Sequence, residues 1–327
     1  MLQIGKRLSH LFVGLMLALL AATASAQAYP NKPIHFIIPY APGGINDVLG
    51  RVLGEQLSKS IGQAVIVENR PGAGGSVATA MVARAKPDGY TLLIGASAPL
   101  ATGLSLYPNI NYDVMKDLAP VTLIASSDLV ITANPRLQVN SLQELVALAR
   151  AKPGTVKVGV PSAGSMHHLI IEELRLKANI KFILVPYNSE APTLNALLGN
   201  HIDVGVFNIS TPAAHIRQKT LTPLVVTSKQ RSELLPGVAT TAEEGFPGLV
   251  ADPWFAVMAP AGTPREIITR LNIDLVRILG SQEVKKRFAN DFGVSAISST
   301  PEQTGAFIGE EIAHWAKVVK DSGAKFE

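Results

Sequence analysis

The chain contains no cysteine. That excludes disulfides, and it excludes a bacterial lipoprotein anchor, which requires a cysteine directly after the signal segment. Beyond the first residues, no apolar run approaches the ~20 residues of a membrane-spanning helix without a charge or a Pro/Gly break. Charge is also sparse, at 17% Asp, Glu, Lys and Arg, against 47% hydrophobic residues. A chain so apolar and weakly charged is globular, not disordered. No basic tract or arginine-rich helix face appears, so the clustered positive surface of a nucleic-acid binder is missing. Without crosslinks, stability has to come from burial. At 327 residues the chain exceeds the ~250–300 residues at which single cores stop growing, so two domains are expected.

What is present begins with an export signal. Lys6 and Arg7 precede the uncharged apolar run Leu11 to Ala22, and small residues end at Ala24-Ser25-Ala26. This order reads as a secretory signal peptide, residues 1–26, cut before Gln27. The run is too short for the alternative, an N-terminal membrane anchor. Removing Lys6 and Arg7 changes 29 basic against 25 acidic residues to 27 against 25. The mature protein is therefore expected to be soluble, periplasmic and not lipid-anchored.

Short apolar strands then alternate with amphipathic helices. Strands are predicted at 34–39, 64–68, 91–95, 129–132, 156–160, 182–185, 204–207, 224–227 and 254–259. Helices are predicted at 46–61, with Val48, Val52, Leu53 and Leu57 on one face, and at 76–85, 141–151, 167–178, 193–198, 265–279, 284–292 and 300–319. Ser141 reads as a helix cap with Glu144 at the reach-back position. Thr263-Pro264 and Thr300-Pro301 read as an N-cap followed by proline at the first helical position. This alternation predicts an α/β fold with mainly parallel sheets flanked by helices.

Two units look alike. Strand 34–38 runs through Pro39-Tyr40-Ala41-Pro42-Gly43-Gly44 into a helix near Asn46-Asp47. Strand 156–160 runs through Pro161-Ser162-Ala163-Gly164-Ser165 into a helix near Met166. A glycine-bearing loop at a helix start presents backbone N–H groups and the positive end of the dipole, which suits an anion. Such loops lie at the carboxyl ends of parallel strands, where ligands bind. The loop at Ser97-Ala98 and the loop from Asn208 end strands in the same way, so four polar loops can line one cleft. Asp47 opposes a bare anion site and suits an N-cap, a water or an amino group. Adjacent His167 and His168 point about 100° apart on a helix, which disfavours a shared metal; His168 is the better donor into a cleft. Ser162, Ser165 and His168 suggest a hydrolase, yet Gly159-Val160-Pro161-Ser162 is not the nucleophile elbow G-x-S-x-G. Gly72-Ala73-Gly74-Gly75-Ser76 lacks the third glycine of a dinucleotide loop and reads as a turn. No cofactor and no metal is therefore expected. Trp254-Phe255 fits core packing slightly better than a ligand-stacking wall, and Glu310, Glu311, Lys317 and Lys320 fit a solvated helix face.

Several motifs carry a resemblance. They are Tyr29-Pro30-Asn31-Lys32-Pro33-Ile34, Pro39 to Gly44 with Asp47 and Arg51, Val67 to Gly75, and Pro87 to Leu93. Tyr112-Asp113 with Asp117-Leu118, Gly164-Ser165 before His168-Leu169, Val185-Pro186-Tyr187, Ala259 to Pro264 and Trp315 continue it. Together they resemble the Bug-type extracytoplasmic solute receptors of tripartite tricarboxylate transporters. The resemblance implies a two-domain Venus-flytrap fold, residues 27–126 with 251–327 forming one domain and 127–250 the other. It implies capture of a small carboxylate by Tyr40, Ala41, Pro42, Gly43, Gly44, Asn46 and Asp47, and by Ser162, Ala163, Gly164, Ser165 and His168. Ser97, Ala98, Tyr187 and Asn208 complete the set. It also implies a monomer that serves inner-membrane transporter subunits and has no enzymatic activity; a periplasmic esterase and a ligand sensor for a signalling partner are the alternatives. Three positions depart from the family pattern: Asn188-Ser189 replace Lys-Gly after Tyr187, Asn208 replaces aspartate after Phe207, and the glycine near Ser162 is missing. With an amide where a carboxylate would meet an ammonium, the ligand is expected not to be an amino acid.

Overall fold

The computed structural model describes residues 29–107, 109–161 and 163–323. The expected signal segment with its cleavage before Gln27, and Ser162, lie outside them. In chain order the strands are β1 (Ile34–Ile38), β2 (Val65–Asn69), β3 (Thr91–Ala96), β4 (Leu118–Ser126), β5 (Leu129–Ala133), β6 (Lys157–Val160), β7 (Ile183–Pro186), β8 (Val204–Asn208), β9 (Thr222–Val226), β10 (Trp254–Pro260) and β11 (Ser295–Ala296). The helices are α1 (Ile45–Ile61), α2 (Ser76–Ala83), α3 (Ser97–Leu100), α4 (Val114–Asp117), α5 (Leu142–Ala151), α6 (Met166–Ala178), α7 (Glu190–Leu198), α8 (Ala213–Arg217), α9 (Arg265–Gly280), α10 (Gln282–Phe292) and α11 (Pro301–Ser322).

They build two sheets, ordered β11-β4-β10-β3-β1-β2 and β7-β6-β8-β5-β9. In the first, β1, β2 and β3 pair in parallel, and β10 runs antiparallel to both β3 and β4. In the second, β6, β7 and β8 pair in parallel, and β5 runs antiparallel to both β8 and β9. The α/β reading with mainly parallel sheets therefore holds, and in each sheet one strand, β10 or β5, runs against both of its neighbours. In both cases it is the strand on which the chain enters that sheet from the other. The two crossings, at Ser127-Asp128 and before β10, are tied together where Ser127 donates its N–H to Pro253 O at 2.9 Å.

Burial explains why the strands read as continuous apolar runs. Ile34, Phe36 and Ile38 pack under Leu49, Val52, Leu53 and Leu57 of α1. Ile37 faces the opposite way into the second core with Leu93. A strand covered on both faces has no polar alternation to show. On α1, Leu49 rather than Val48 completes the buried stripe. Strand β4 escaped the sequence reading because Pro120 interrupts it. Pro120 sits opposite Met258 beside a register shift, the kind of irregularity at which a strand accepts a residue without an N–H.

Helix starts follow local chemistry with two adjustments. Thr300 and Gln303 form the expected capping box on α11, with Pro301 at the first position. Ser141 caps α5, but Glu144 reaches past it to the N–H of Asn140 at 2.7 Å. On α9 Pro264 occupies the N-cap position, and Thr263 instead donates its hydroxyl to Pro260 O. Among the described residues no helix is long and apolar enough to cross a membrane.

Candidate functional site

The two similar loops are held by the same device. Gly43 lies at φ 88° and Gly164 at φ 74°, a left-handed backbone that favours glycine. Each is followed by the N-cap of a helix, Gly44 for α1 and Ser165 for α6. Each donates its N–H to the side chain four residues on: Gly43 to Asp47 Oδ2 at 2.9 Å, Gly164 to His168 Nδ1 at 3.1 Å. Asp47 does not cap its helix. It is a buried anchor that also accepts from Arg51 Nε at 3.1 Å and Asn69 Nδ2 at 3.0 Å. Burial opposes its ionisation, but the bonds from Arg51, Gly43 and Asn69 outweigh that and hold its pKa below the usual aspartate value. Asn69 also donates to Tyr40 O at 3.0 Å. The Asn-Arg-Pro-Gly motif thus has a positional role: its asparagine braces the first loop. Asn46 donates to Ile94 O at 3.1 Å and braces the loop from the other side.

Both loops open on one cavity of about 800 Å³ between the two sheets. From the first sheet's loops, Tyr40, Ala41, Pro42, Gly44, Asn46, Ser97 and Ala98 line it; from the second sheet's, Ser165 and Asn208 do. Gly43, Asp47, Ala163, Gly164 and His168 do not line it; Asp47, Gly164 and His168 are buried and Gly43 and Ala163 exposed. Of the two histidines it is His167 that reaches the cavity, while His168 is engaged with Gly164 and lies 3.7 Å from Glu172. Tyr187 is also displaced from the site: it packs in a satellite core with Leu197, Ile202 and Phe207.

A third helix start, unforeseen in the sequence, joins them. Asn188, Ser189 and Glu190 line the cavity, and Ser189 is the N-cap of α7. Sequence reasoning began that helix at Thr193, so the acid in its first turn went unread. Glu190 Oε1 accepts from Asn208 N and Nδ2, both at 2.7 Å, and stands 3.1 Å from His167 Nε2; Oε2 accepts from the Thr211 hydroxyl. Burial raises its pKa, but the bonds from His167, Thr211 and Asn208 prevail and hold it below the usual glutamate value. Asn208 is thus bonded to a carboxylate from a neighbouring helix, Glu190 at the start of α7.

No side chain caps α1, α6 or α7, whereas Ser141, Ser281 and Thr300 cap α5, α10 and α11 away from the cavity. First-turn N–H groups have no acceptor within their own helix. The α1 and α6 starts, facing one space, form a field suited to an anion, whereas the α7 start already holds the Glu190 carboxylate. Among the described residues no lysine or arginine lines the cavity. The remaining wall is apolar: Ile45, Met166, Pro253, Phe255, Phe292 and Val294. Trp254-Phe255 therefore divides. Phe255 faces the cavity, and Trp254 is core, donating from Nε1 to Glu311 Oε2 at 2.9 Å. Trp315 Nε1 donates to the same oxygen at 3.0 Å, so Glu311 is a half-buried acceptor for two indoles and not simply part of a solvated face. Phe292 and Val294 carried no sequence signal, because they close a helix whose pattern looks ordinary. Among the described residues no group of three His, Asp or Glu side chains is placed to hold a metal ion.

Comparison with known proteins matches residues 49–324 to the tripartite tricarboxylate transporter family receptor model. Protein BugT of Bordetella pertussis is 43% identical over 309 residues, 94% of each chain. A protein of R. palustris solved with adipate is 32% identical with a TM-score of 0.76, covering 90% of this chain and 98% of its own. MatC from Rhodopseudomonas palustris, solved with bound malate, is 28% identical with a TM-score of 0.71, covering 89% and 100%.

Proposed function

Because the chain belongs to the tripartite tricarboxylate transporter receptor family, a family of periplasmic solute-binding receptors and not of enzymes, we propose that it captures a small organic carboxylate in the cavity between its sheets. The observation that carries this reading is the meeting of the α1 and α6 starts on one space, with no lysine or arginine lining it among the described residues. Backbone N–H groups and helix dipoles there take the place of a cation. Ser97 and Ser165 add hydroxyls at the same rim.

In this reading residues 27–126 with 251–327 form one lobe and 127–250 the other, and the crossings at Ser127-Asp128 and Asp252-Pro253 act as the hinge. The lobes close over the ligand, and the loaded monomer, processed before Gln27, delivers it to inner-membrane transporter subunits. Adipate and malate in the structural relatives support the carboxylate class.

Calorimetry of the mature chain against carboxylates and neutral sugars tests it. Carboxylates should bind and sugars should not; the reverse order would sink the reading. Gly44→Val places a β-branched side chain at the lining. Its φ of −78° suits valine, and the nearest atom to an added Cβ is Ala41 O at 3.7 Å. Affinity should fall about tenfold or more, a loss of ~1.4 kcal/mol, with the melting temperature little changed. Unaltered affinity would remove this loop from the site.

A further inference from the structure

We propose that the cavity selects monocarboxylates with an apolar body, aryl or alkyl acids, over dicarboxylates, tricarboxylates and amino acids. The inference rests on the carboxylate-binding reading and deepens it.

One carboxylate has a place at the α1 and α6 starts. At the α7 start the polar groups are turned toward one another. Ser127 donates its hydroxyl to Asn208 Oδ1 at 3.0 Å, and Asn208 spends both its amide donor and its backbone N–H on Glu190. The Thr211 hydroxyl and His167 are directed at Glu190 as well. A second ligand carboxylate on this side would therefore meet an ionised carboxylate whose donors are already committed, and the lining offers no lysine or arginine to offset the repulsion. The same commitment disfavours an amino acid. An ammonium needs three acceptors when it leaves water, and Glu190 Oε1 already faces three nitrogen partners.

The rest of the wall is built for an apolar body. Phe292 and Val294 flank Gly293, which packs against Ser210 across the cavity mouth. With Phe255, Met166 and Ile45 they form a continuous hydrophobic surface in a space of about 800 Å³, within the range that takes a ring or a chain. Burying such a body is favourable there, and burying a hydrated second carboxylate is not.

Calorimetry of the mature chain at neutral pH with phenylacetate, hexanoate, adipate, malate, citrate and phenylalanine tests this. Phenylacetate and hexanoate should bind about tenfold or more tightly than the others, the separation a buried apolar side chain of that size supports. Equal or tighter binding of adipate, malate, citrate or phenylalanine overturns the inference and leaves the carboxylate reading standing. Binding of none of the acids overturns both. Phe292→Ser gives an independent test. It should weaken phenylacetate and hexanoate about tenfold while malate changes by no more than about twofold. Equal losses for all acids, with the melting curve preserved, would place the ligand body elsewhere.

Discussion

Asp47 and His168 occupy equivalent positions in two loops from different sheets, each accepting the N–H of a glycine four residues earlier. One acceptor is an anion and the other an imidazole nitrogen, so the device is geometric and not a matter of charge. Both fix the loop's glycine at the start of its helix. A different residue, Asp252, carries the clearest pH signature. Burial raises its carboxyl to about 7, Asp128 and Glu311 add to the rise, and Lys229 opposes it. Its Oδ1 is buried with no hydrogen-bond partner among the described residues. In the unfolded chain an aspartate titrates near ~3.9. The folded state thus keeps a proton that the unfolded chain has lost, and its stabilising contribution, complete below that value, disappears as pH rises through about 7. Asp252→Asn should therefore raise stability at about pH 8, by ~1–3 kcal/mol as for a relieved unsatisfied buried group, and much less at about pH 5. Thermal melts at the two pH values check this; an equal effect at both would exclude proton linkage at Asp252.

At the level of elements, the helix starts separate by role. Ser or Thr caps α5, α10 and α11, whereas α1, α6 and α7, which face the cavity, have no side-chain cap. The end of α10 matters as much. Gly293 closes that helix at φ 65°, and a Cβ added to it would stand 2.4 Å from Ser210 Cβ. The two residues belong to parts of the chain built on different sheets, so this contact limits how closely those parts approach. Gly293→Ala should lower ligand affinity about tenfold, and Ser210→Gly in the same chain should restore much of it, giving a coupling of ~1 kcal/mol or more in a double-mutant cycle. Additive effects would mean that the loss comes from helix termination alone. Helix ends of this kind were legible only in part. Thr300-Pro301 declared itself because its partners are local, whereas Thr263-Pro264 read one residue early because Pro260, three residues back, took the threonine hydroxyl.

For the whole molecule, the two sheets are joined by more than the crossings. Helix α11, built on the first sheet, packs along α6 of the second. Arg175 of α6 donates to Ser322 O at 3.1 Å, and His314 Nε2 of α11 lies 3.1 Å from Glu173 Oε2 of α6. The bond with Glu173 raises the His314 pKa, with burial opposing. This contribution is complete below the ordinary histidine value of ~6.5 and is lost as pH rises through the raised one. His314→Ala should therefore lower the melting temperature at about pH 6 and leave it nearly unchanged at about pH 9. Because the pair is partly solvated, the loss should be no more than ~1 kcal/mol. A pH-independent loss would assign His314 a packing role against Trp315, whose ring it meets edge-on at 4.7 Å.

The sequence alone determined whatever depends on neighbours along the chain. Alternating apolar runs and helical stripes set the α/β class, glycine before a helix start set the two loops, and Thr300-Pro301 set a cap. Each is a local interaction, readable from residues within about a turn of one another. It could not place Pro120 in a strand, because the irregularity that admits it exists only against Met258. Nor could it bring Glu190 to Asn208, choose His167 over His168, retire Tyr187 to a side core, or set Phe292 and Val294 across from Ser165. Those placements follow from packing two sheets and their helices against each other, where contacts between distant segments, and not local propensity, decide which atoms share a cavity.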